Sequence, residues 1–345
     1  MPQIIRVGIV GAGNNTRVRH IPGLKAQEGV EIVAVCNQSK ESSERVAREF
    51  GIPRTHTNWR ELVQSEEVAA VVIGTWPYLH CPVTLAALGA GKHVLTEARM
   101  AMNAREAHLM LEKSRLNPHL VSQVVPSPFT LRVDRMVQHL IADGYLGELN
   151  TLDVRANFSD FADLGGSLHW RQDRNLSGLN ILTMGIWYEA ILRWIGEARR
   201  LMAMTRVTVK QRKDALGVVR TITVPDHVDI LAEMACGAQA RFQFSAVTGL
   251  SPAAEVWLFG TEGTIRYEAS SDKLFGGKRG EKQLKEIPVL PQLAGGWRVE
   301  EEFINAIRGK EKVKLTTFED GLKYMQFTEA VTRSALSGTA VSVQG

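Results

Sequence analysis

The 345-residue sequence has no apolar run approaching the roughly 18 residues that a membrane helix needs, so no membrane partner is expected. Its three cysteines, Cys36, Cys81 and Cys236, are an odd, scattered set without C-x-x-C spacing. That excludes a disulfide framework and a thiolate metal site, and it fits reduced thiols in a cytoplasmic protein; no metal is expected. No basic run is dense enough for nucleic acid. Lys and Arg number 41 against 37 Asp and Glu, and the formal charge of +4 suits a small anionic ligand. A strand begins within a few residues of Met1, which leaves no room for a secretion signal. Repeats and low-complexity linkers are missing too. The remainder is 44% hydrophobic and 23% charged, an ordinary globular composition. The length accommodates two domains of about 150 residues.

What is present is organised around residues 6–16, R-V-G-I-V-G-A-G-N-N-T. Val7, Ile9 and Val10, with Ile4 and Ile5 before them, are β-branched and apolar, as a strand buried on both faces requires. Gly11, Ala12 and Gly13 end it, and Asn14, Asn15 and Thr16 open a helix. Gly11 allows a tight turn, and Gly13 lets backbone N–H groups approach a pyrophosphate at the helix N-terminus. A third glycine is expected three residues after Gly13. Thr16 stands there, so the helix should pack slightly more loosely on the strand.

Downstream, strands are expected at 31–36, 68–74, 93–96 and 120–125. Helical spacing covers 18–27 (interrupted at Pro22-Gly23), 41–50, 59–64 behind Asn58 as a cap, 81–90 and 103–116. Strands alternating with helices mean β-α-β units and a parallel sheet, a dinucleotide-binding domain over 1–125. After Pro126 and Pro128 the pattern changes. A helix at 129–143 and a strand at 149–157 are followed by a glycine-rich loop at 164–167 and a long helix at 177–195. Alternating segments from 199 to 267 then indicate a mostly antiparallel sheet. Residues 270–280 read as an exposed hairpin tip, and helices at 298–307 and 319–336 finish the chain.

End to end, the sequence resembles the Gfo/Idh/MocA family of NAD(P)-dependent oxidoreductases of sugars and cyclitols. The resemblance is carried by V-G-I-V-G-A-G with His20 downstream, T-W-P-Y-L-H at 75–80, G-K-H-V-L-T-E at 91–97 and W-R at 170–171. It continues through G-I-W-Y-E-A-I-L-R-W-I-G at 185–196, G-T-E-G-T-I-R at 260–266 and E-D-G-L-K at 319–323. It implies an α/β protein with an N-terminal Rossmann domain. A C-terminal α/β domain, 126–345, would carry a large open, mostly antiparallel sheet as substrate platform and oligomer interface. The last helix would pack back on the first domain. An exposed sheet of this kind pairs with another subunit, so a homodimer or homotetramer is expected.

At three positions the sequence departs from the family. The family's Glu-Lys-Pro, whose lysine touches nicotinamide ribose and substrate, reads Glu97-Ala98-Arg99. The Asp and the His four residues later that serve as acid/base read Thr183 and Trp187, a spacing that would aim both at the nicotinamide from one helical face. The usual proton relay for a secondary alcohol is therefore absent. Arg99 can clamp an anionic substrate, since its charge is permanent. His169, in His169-Trp170-Arg171, is the candidate titrating group, facing the cleft. Tyr188 is a second catalytic candidate. Thr183 can hydrogen-bond a ligand, Trp187 offers a stacking face, and Trp170 and Arg171 complete the substrate set. A loop histidine and a core tryptophan are the plain alternatives for His169 and Trp187.

The cofactor contacts implied by the resemblance are Gly11, Ala12, Gly13, Asn14, Asn15, Thr75, Trp76, Tyr78, His80, Glu97 and Ala98. NAD binders place an acid about 20 residues past the glycines to hold the ribose 2′-OH. Here Asn37-Gln38-Ser39-Lys40 stands instead, which favours NADP(H), with Ser39, Lys40 and Arg45 for the 2′-phosphate. NAD(H) held by neutral hydrogen bonds from Asn37 is the other option. The expected function is oxidation or reduction of a sugar, sugar acid or related ring with a non-standard catalytic site. NAD-assisted glycoside hydrolysis or elimination, and a catalytically silent ligand sensor, are the alternatives.

Overall fold

A computed structural model describes residues 4–158 and 160–344 of the chain. They form two compact units, one of residues 1–126 and 298–322, the other of 127–297 and 323–345.

The first unit is built on six strands: β1 (Ile5–Val10), β2 (Val30–Cys36), β3 (Arg54–His56), β4 (Ala70–Ile73), β5 (His93–Thr96) and β6 (Ser122–Val124). All pair parallel in the order β3-β2-β1-β4-β5-β6. Near-continuous apolar runs suit strands covered on both faces, and Val7, Ile9, Val71, Ile73, Val94 and Leu95 are fully buried. Short polar residues start the helices between them. Ser39 accepts the Ser42 N–H, Asn58 that of Arg60 and Asn103 that of Glu106. Gly51, at φ 65°, closes the helix Lys40–Phe50. The helix expected from 81 starts four residues earlier, at Pro77, because proline suits a first helical turn where its missing N–H has no role. The far edge of the sheet is covered from within the unit. Val124 and Thr316 exchange N–H···O bonds of 3.0 Å in both directions, and Gln123 donates to Glu302 and to the Leu315 carbonyl.

The second unit continues with β7 (Leu149–Asn157), β8 (Ala198–Arg206), β9 (Gln211–Lys213), β10 (Val219–Thr221), β11 (His227–Met234), β12 (Gln239–Ser245), β13 (Glu255–Gly260), β14 (Gly263–Glu268), β15 (Lys273–Lys278), β16 (Lys285–Ile287) and β17 (Val341–Ser342). Nine of these make one sheet, β16-β15-β14-β13-β7-β12-β11-β8-β17, in which only β7 and β12 run parallel. Strand alternation divides its faces. One registered row, Ala203, Ile230, Phe242, Val154, Val256, Tyr267 and Leu274, is buried. The next row, Met202, Leu231, Arg241, Asp153, Trp257, Arg266 and Phe275, lies on the opposite face. On the buried side Tyr188 stacks on Phe327, centroids 3.7 Å apart, and meets Phe242 edge-on.

Three expected elements differ. The long helix of 177–195 is two pieces, Arg174–Ser177 and Met184–Ile195, because Gly178 (φ 64°, ψ −135°) and Leu182 (φ 44°) are outside helical space. The helix of 129–143 spans only Asp134–Ala142. The supposed hairpin tip contains β15. Gly276 is there for room, since a Cβ on it would lie 2.4 Å from Ile287 Cδ1 and 2.6 Å from the Tyr145 hydroxyl. The segment that returns to the first unit is 298–322, which holds the helix Val299–Ile307 and the start of the final helix, Phe318–Ser337, where a Cβ on Gly321 would lie 2.4 Å from Met100 Sδ.

The Tyr188 hydroxyl accepts the Ala198 N–H at 2.8 Å inside this core. Tyr188→Phe is expected to leave that donor unpaired and to lower stability by about 1–3 kcal/mol in urea unfolding, with ligand binding unchanged.

Candidate functional site

In the first unit, β1 and β4 are adjacent although a crossover separates them in sequence, which makes their carboxyl ends the topological switch point where open α/β sheets bind ligands. Gly11 sits there at φ 83°, and a Cβ on it would lie 2.5 Å from Thr75 Cγ2 and 2.7 Å from the Thr75 nitrogen. Only glycine tolerates both the angle and the contact. Gly13 is exposed, with just the Gly74 carbonyl 3.3 Å from where its Cβ would be, so its outer side is open to a ligand. The helix that follows winds through a π-helical turn, Thr16–His20, before Ile21–Lys25. Its first-turn N–H groups have no intrahelical acceptor and supply an anion site.

Thr16 corrects the expectation of looser packing. A Cβ on Gly74 would lie 2.0 Å from Thr16 Oγ1 and 2.3 Å from the Gly11 carbonyl. The missing third glycine of the motif is thus replaced by a glycine directly after β4, and the close approach survives.

Asn37 has a different job from the one expected. Its Oδ1 accepts the Ala12 N–H at 2.7 Å, while Nδ2 donates to the Ser42 carbonyl and hydroxyl. It therefore braces the glycine turn against the end of β2. Gln38 and Ser39 are exposed, Ser39 as a helix cap, and Lys40 is 67% exposed, with Glu44 3.8 Å away. Arg45 donates to Ser42 Oγ. No carboxylate stands in residues 37–40.

Asn15 turns inward. Its Nδ2 donates to Glu97 Oε1 at 2.5 Å, the oxygen that also receives His20 Nε2 at 3.0 Å. Glu97 Oε2 accepts the Ala98 N–H at 3.3 Å. Burial would raise the Glu97 pKa, but these hydrogen bonds and the His20 charge outweigh it and hold it low, so Glu97 is ionised. Asn14 is exposed, Trp76 stands at the exposed start of the helix Pro77–Gly89, and Thr75, Tyr78 and Ala98 are half-buried.

Two expected contacts are internal to this unit. His80 is fully buried, its Nδ1 2.8 Å from the Arg99 carbonyl and its Nε2 2.9 Å from that of Thr75. Burial lowers its pKa against the pull of the two carbonyls and Glu97, and the ring ties the loop after β4 to the segment after β5. Arg99 is 3% exposed, which removes it from the surface where a substrate clamp would act.

In the second unit, His169 is exposed and caps the 3-10 turn Trp170–Gln172. Its Nδ1 accepts the Arg171 N–H at 3.3 Å, and its backbone N–H donates to Gln172 Oε1. Burial and the Arg171 charge lower its pKa, so it is neutral near pH 7, and the cap fixes its proton on Nε2. The Arg171 guanidinium lies over the Trp170 ring, 4.3 Å from its centroid. Thr183 begins the helix Met184–Ile195, where its carbonyl takes the Trp187 N–H. Trp187 is 4% exposed and stacks on Phe129 at 4.7 Å, so it packs in the core and presents no open stacking face. Tyr188 is wholly buried, and burial drives its pKa far above the ordinary phenol value, which removes it from acid/base work. Beside them, Glu189 accepts the Ser127 N–H and pairs with Arg193 at 2.5 Å, and Arg193 pairs with Asp134 at 3.0 Å. These buried charges hold the helix in place.

Sequence reasoning missed Gly74 and Glu300, the second carboxylate on His20. For Gly74 the signal was present, a glycine directly after the strand beside β1.

Residues 5–123 match the GFO_IDH_MocA oxidoreductase family with its NAD-binding Rossmann fold, and residues 135–266 match the C-terminal domain of the same family. The glucose-fructose oxidoreductase domain-containing protein 2 of Xenopus laevis is 27% identical over 98% of this chain and 93% of its own. The trans-1,2-dihydrobenzene-1,2-diol dehydrogenase of Mus musculus is 26% identical over 80% of this chain and 79% of its own. The crystal structure of an NAD binding oxidoreductase from Klebsiella pneumoniae superposes with a TM-score of 0.85 at 21% identity over 99% of each chain. A levoglucosan dehydrogenase in complex with NADH and L-sorbose gives 0.85 at 20% identity over 98% of each chain, and at such identities the likeness is one of fold.

Gly13→Val is expected to fold normally and to lose dinucleotide binding in calorimetry, whereas Gly11→Val fails to fold. Unchanged affinity in Gly13→Val would exclude this loop as the ligand site.

Proposed function

Because the chain belongs to the Gfo/Idh/MocA oxidoreductase family, we propose that it is an NAD(P)-dependent oxidoreductase of a sugar, sugar acid or related ring compound, working without the family's usual proton relay. The observation that carries the reading is the cradle at the switch point. Gly11 and Gly74 let the turn pack tightly on its neighbours, Gly13 leaves its outer side open where a pyrophosphate would lie, and Asn37 braces the turn at Ala12. A bound nicotinamide supplies a hydride acceptor or donor. The chain's own contribution at this end is to bind phosphate on the first-turn N–H groups and to keep Glu97 ionised.

NADP(H) is the preferred cofactor in this reading, with NAD(H) as the other possibility. Asn37 uses both ends of its amide internally and puts no negative charge beside a 2′-phosphate, while the Lys40 ammonium is exposed three residues further on. For the substrate, the Arg171–Trp170 pair offers a flat cationic surface suited to a hydroxylated or acidic ring. General acid/base assistance contributes about 10²–10⁴-fold, so with Ala98, Thr183 and Trp187 at the relay positions, oxidation of common sugars and inositols is slow. His169 can act as a base only by giving up its cap. A silent ligand sensor is the second reading, favoured by the packing of Trp187 on Phe129.

The partner in this reading is a second copy of the chain, forming a dimer or tetramer in the cytoplasm. Its surface is the outer row of the large sheet, where Met202 and Leu231 are 45% and 61% exposed beside the Asp153–Arg241 ion pair. Among the described residues, no helix is long and apolar enough to cross a membrane.

Titration with NADPH and NADH tests the cofactor assignment. Lys40→Ala is expected to weaken NADPH about tenfold, by roughly the 1.4 kcal/mol of one charge contact, and to leave NADH unchanged. Equal losses would show that Lys40 does not meet a 2′-phosphate. Net cofactor turnover with a panel of sugars and sugar acids separates the enzyme from the sensor.

Light scattering at micromolar concentration is expected to give twice or four times the chain mass of 38.2 kDa, and the single mass would exclude assembly through the sheet.

A further inference from the structure

The first unit contains a buried charge that the proposed function leaves without a role. His20, at the end of the π-helical turn, is wholly buried, with Nδ1 2.5 Å from Glu300 Oε1 and Nε2 3.0 Å from Glu97 Oε1. A neutral imidazole donates from one nitrogen only, so satisfying both carboxylates requires the imidazolium. The way Glu300 reaches it is built into the sequence. Gly23 lies one turn on, and a Cβ there would stand 2.7 Å from Glu300 Oε2. A helical glycine, unfavourable by itself, makes room for the second carboxylate. Asn15 donates to the same Glu97 oxygen as His20. The turn after the glycine loop, the exit of β5 and the helix Val299–Ile307 therefore converge on one cation.

We propose that His20 is a positioning residue for dinucleotide binding: clamped as an imidazolium between Glu97 and Glu300, it fixes Asn15 and the anion-receiving turn, and loss of its proton weakens the affinity. The proposal rests on the reading that the glycine loop takes a dinucleotide. With the proton in place the three ionisable groups carry a net charge of −1. Without it they carry −2, two buried carboxylates face each other across a neutral ring, and negative potential grows beside a site for an anion. Among the groups facing His20 are Glu97, Glu300 and the Asn15 amide, and His80 is also near Glu97.

Burial alone would lower the His20 pKa, but the two carboxylates outweigh it and raise it from 6.5 to about 9. The folded state thus favours the charged ring. Its stabilisation is complete below pH 6.5 and is lost as pH rises through about 9, so binding that depends on it fails on the same alkaline limb.

The experiment measures NADH affinity, and separately NADPH affinity, from about pH 7 to pH 10 at constant ionic strength, for the wild type, Glu300→Gln and His20→Gln. The wild type is expected to lose about tenfold or more across that range, since each unit of pH above the pKa removes tenfold of the charged form. Glu300→Gln removes one of the two carboxylates that hold the proton, so its break moves to lower pH. His20→Gln binds more weakly, with a flat profile. Should that variant fail to fold, the displaced break in Glu300→Gln decides by itself, because a purely structural role would not move it. Wild-type affinity that is flat with pH, or a break left in place by Glu300→Gln, overturns the positioning role. Absence of binding at every pH overturns the dinucleotide reading and the proposal together.

Discussion

Where β1 and β4 end, the chain crosses itself with no room for side chains. Gly11 lies against Thr75, Gly74 against Thr16 and the Gly11 carbonyl, and a methyl group at either glycine would overlap backbone atoms. That approach sets the angle at which the following helix leaves the sheet. It also decides which N–H groups point outward and whether a phosphate can come close enough to receive them. Asn37 reinforces it from the end of β2 by taking the Ala12 N–H. The dinucleotide-receiving geometry of the first unit thus follows from a steric condition on a few backbone atoms, with polar side chains holding it in place.

Each unit also places a buried cation among carboxylates. In the first, His20 lies between Glu97 and Glu300; in the second, Arg193 lies between Glu189 and Asp134. Such clusters are costly to desolvate and add little net stability compared with apolar packing. What they contribute is definition, because removing one member leaves an uncompensated charge. Each ties together segments distant in sequence: residues 15–20, 97 and 300 in one unit, and 127–134 with 189–193 in the other.

At positions 98 and 187, and at His169, the side chains are spoken for in this structure. Ala98 has no proton to exchange, and Trp187 is committed to packing on Phe129. His169 spends its Nδ1 lone pair on a helix cap. The glycine turn keeps the close backbone approach of its fold, while Trp187 and His169 are engaged in packing and capping.

The sequence alone determined the elements whose cause is local. A β-branched run, two glycines and a helix start specify strand, turn and helix within a dozen residues, and period-two alternation specifies the strands of the second unit. Even the departures at 98, 183 and 187 could be read by position. Only the tertiary structure decided which polar side chains are buried and which stay at the surface. His80, Arg99 and Tyr188 are of types that suit a site, yet all three are buried by segments far away in the chain. Likewise Gly74 does the work expected of a glycine at 16, and Glu300 reaches His20 only because Gly23 lets it in. Local propensity reflects neighbours within a few residues, whereas burial and pairing depend on contacts across the fold. The first was therefore legible in the sequence and the second was not.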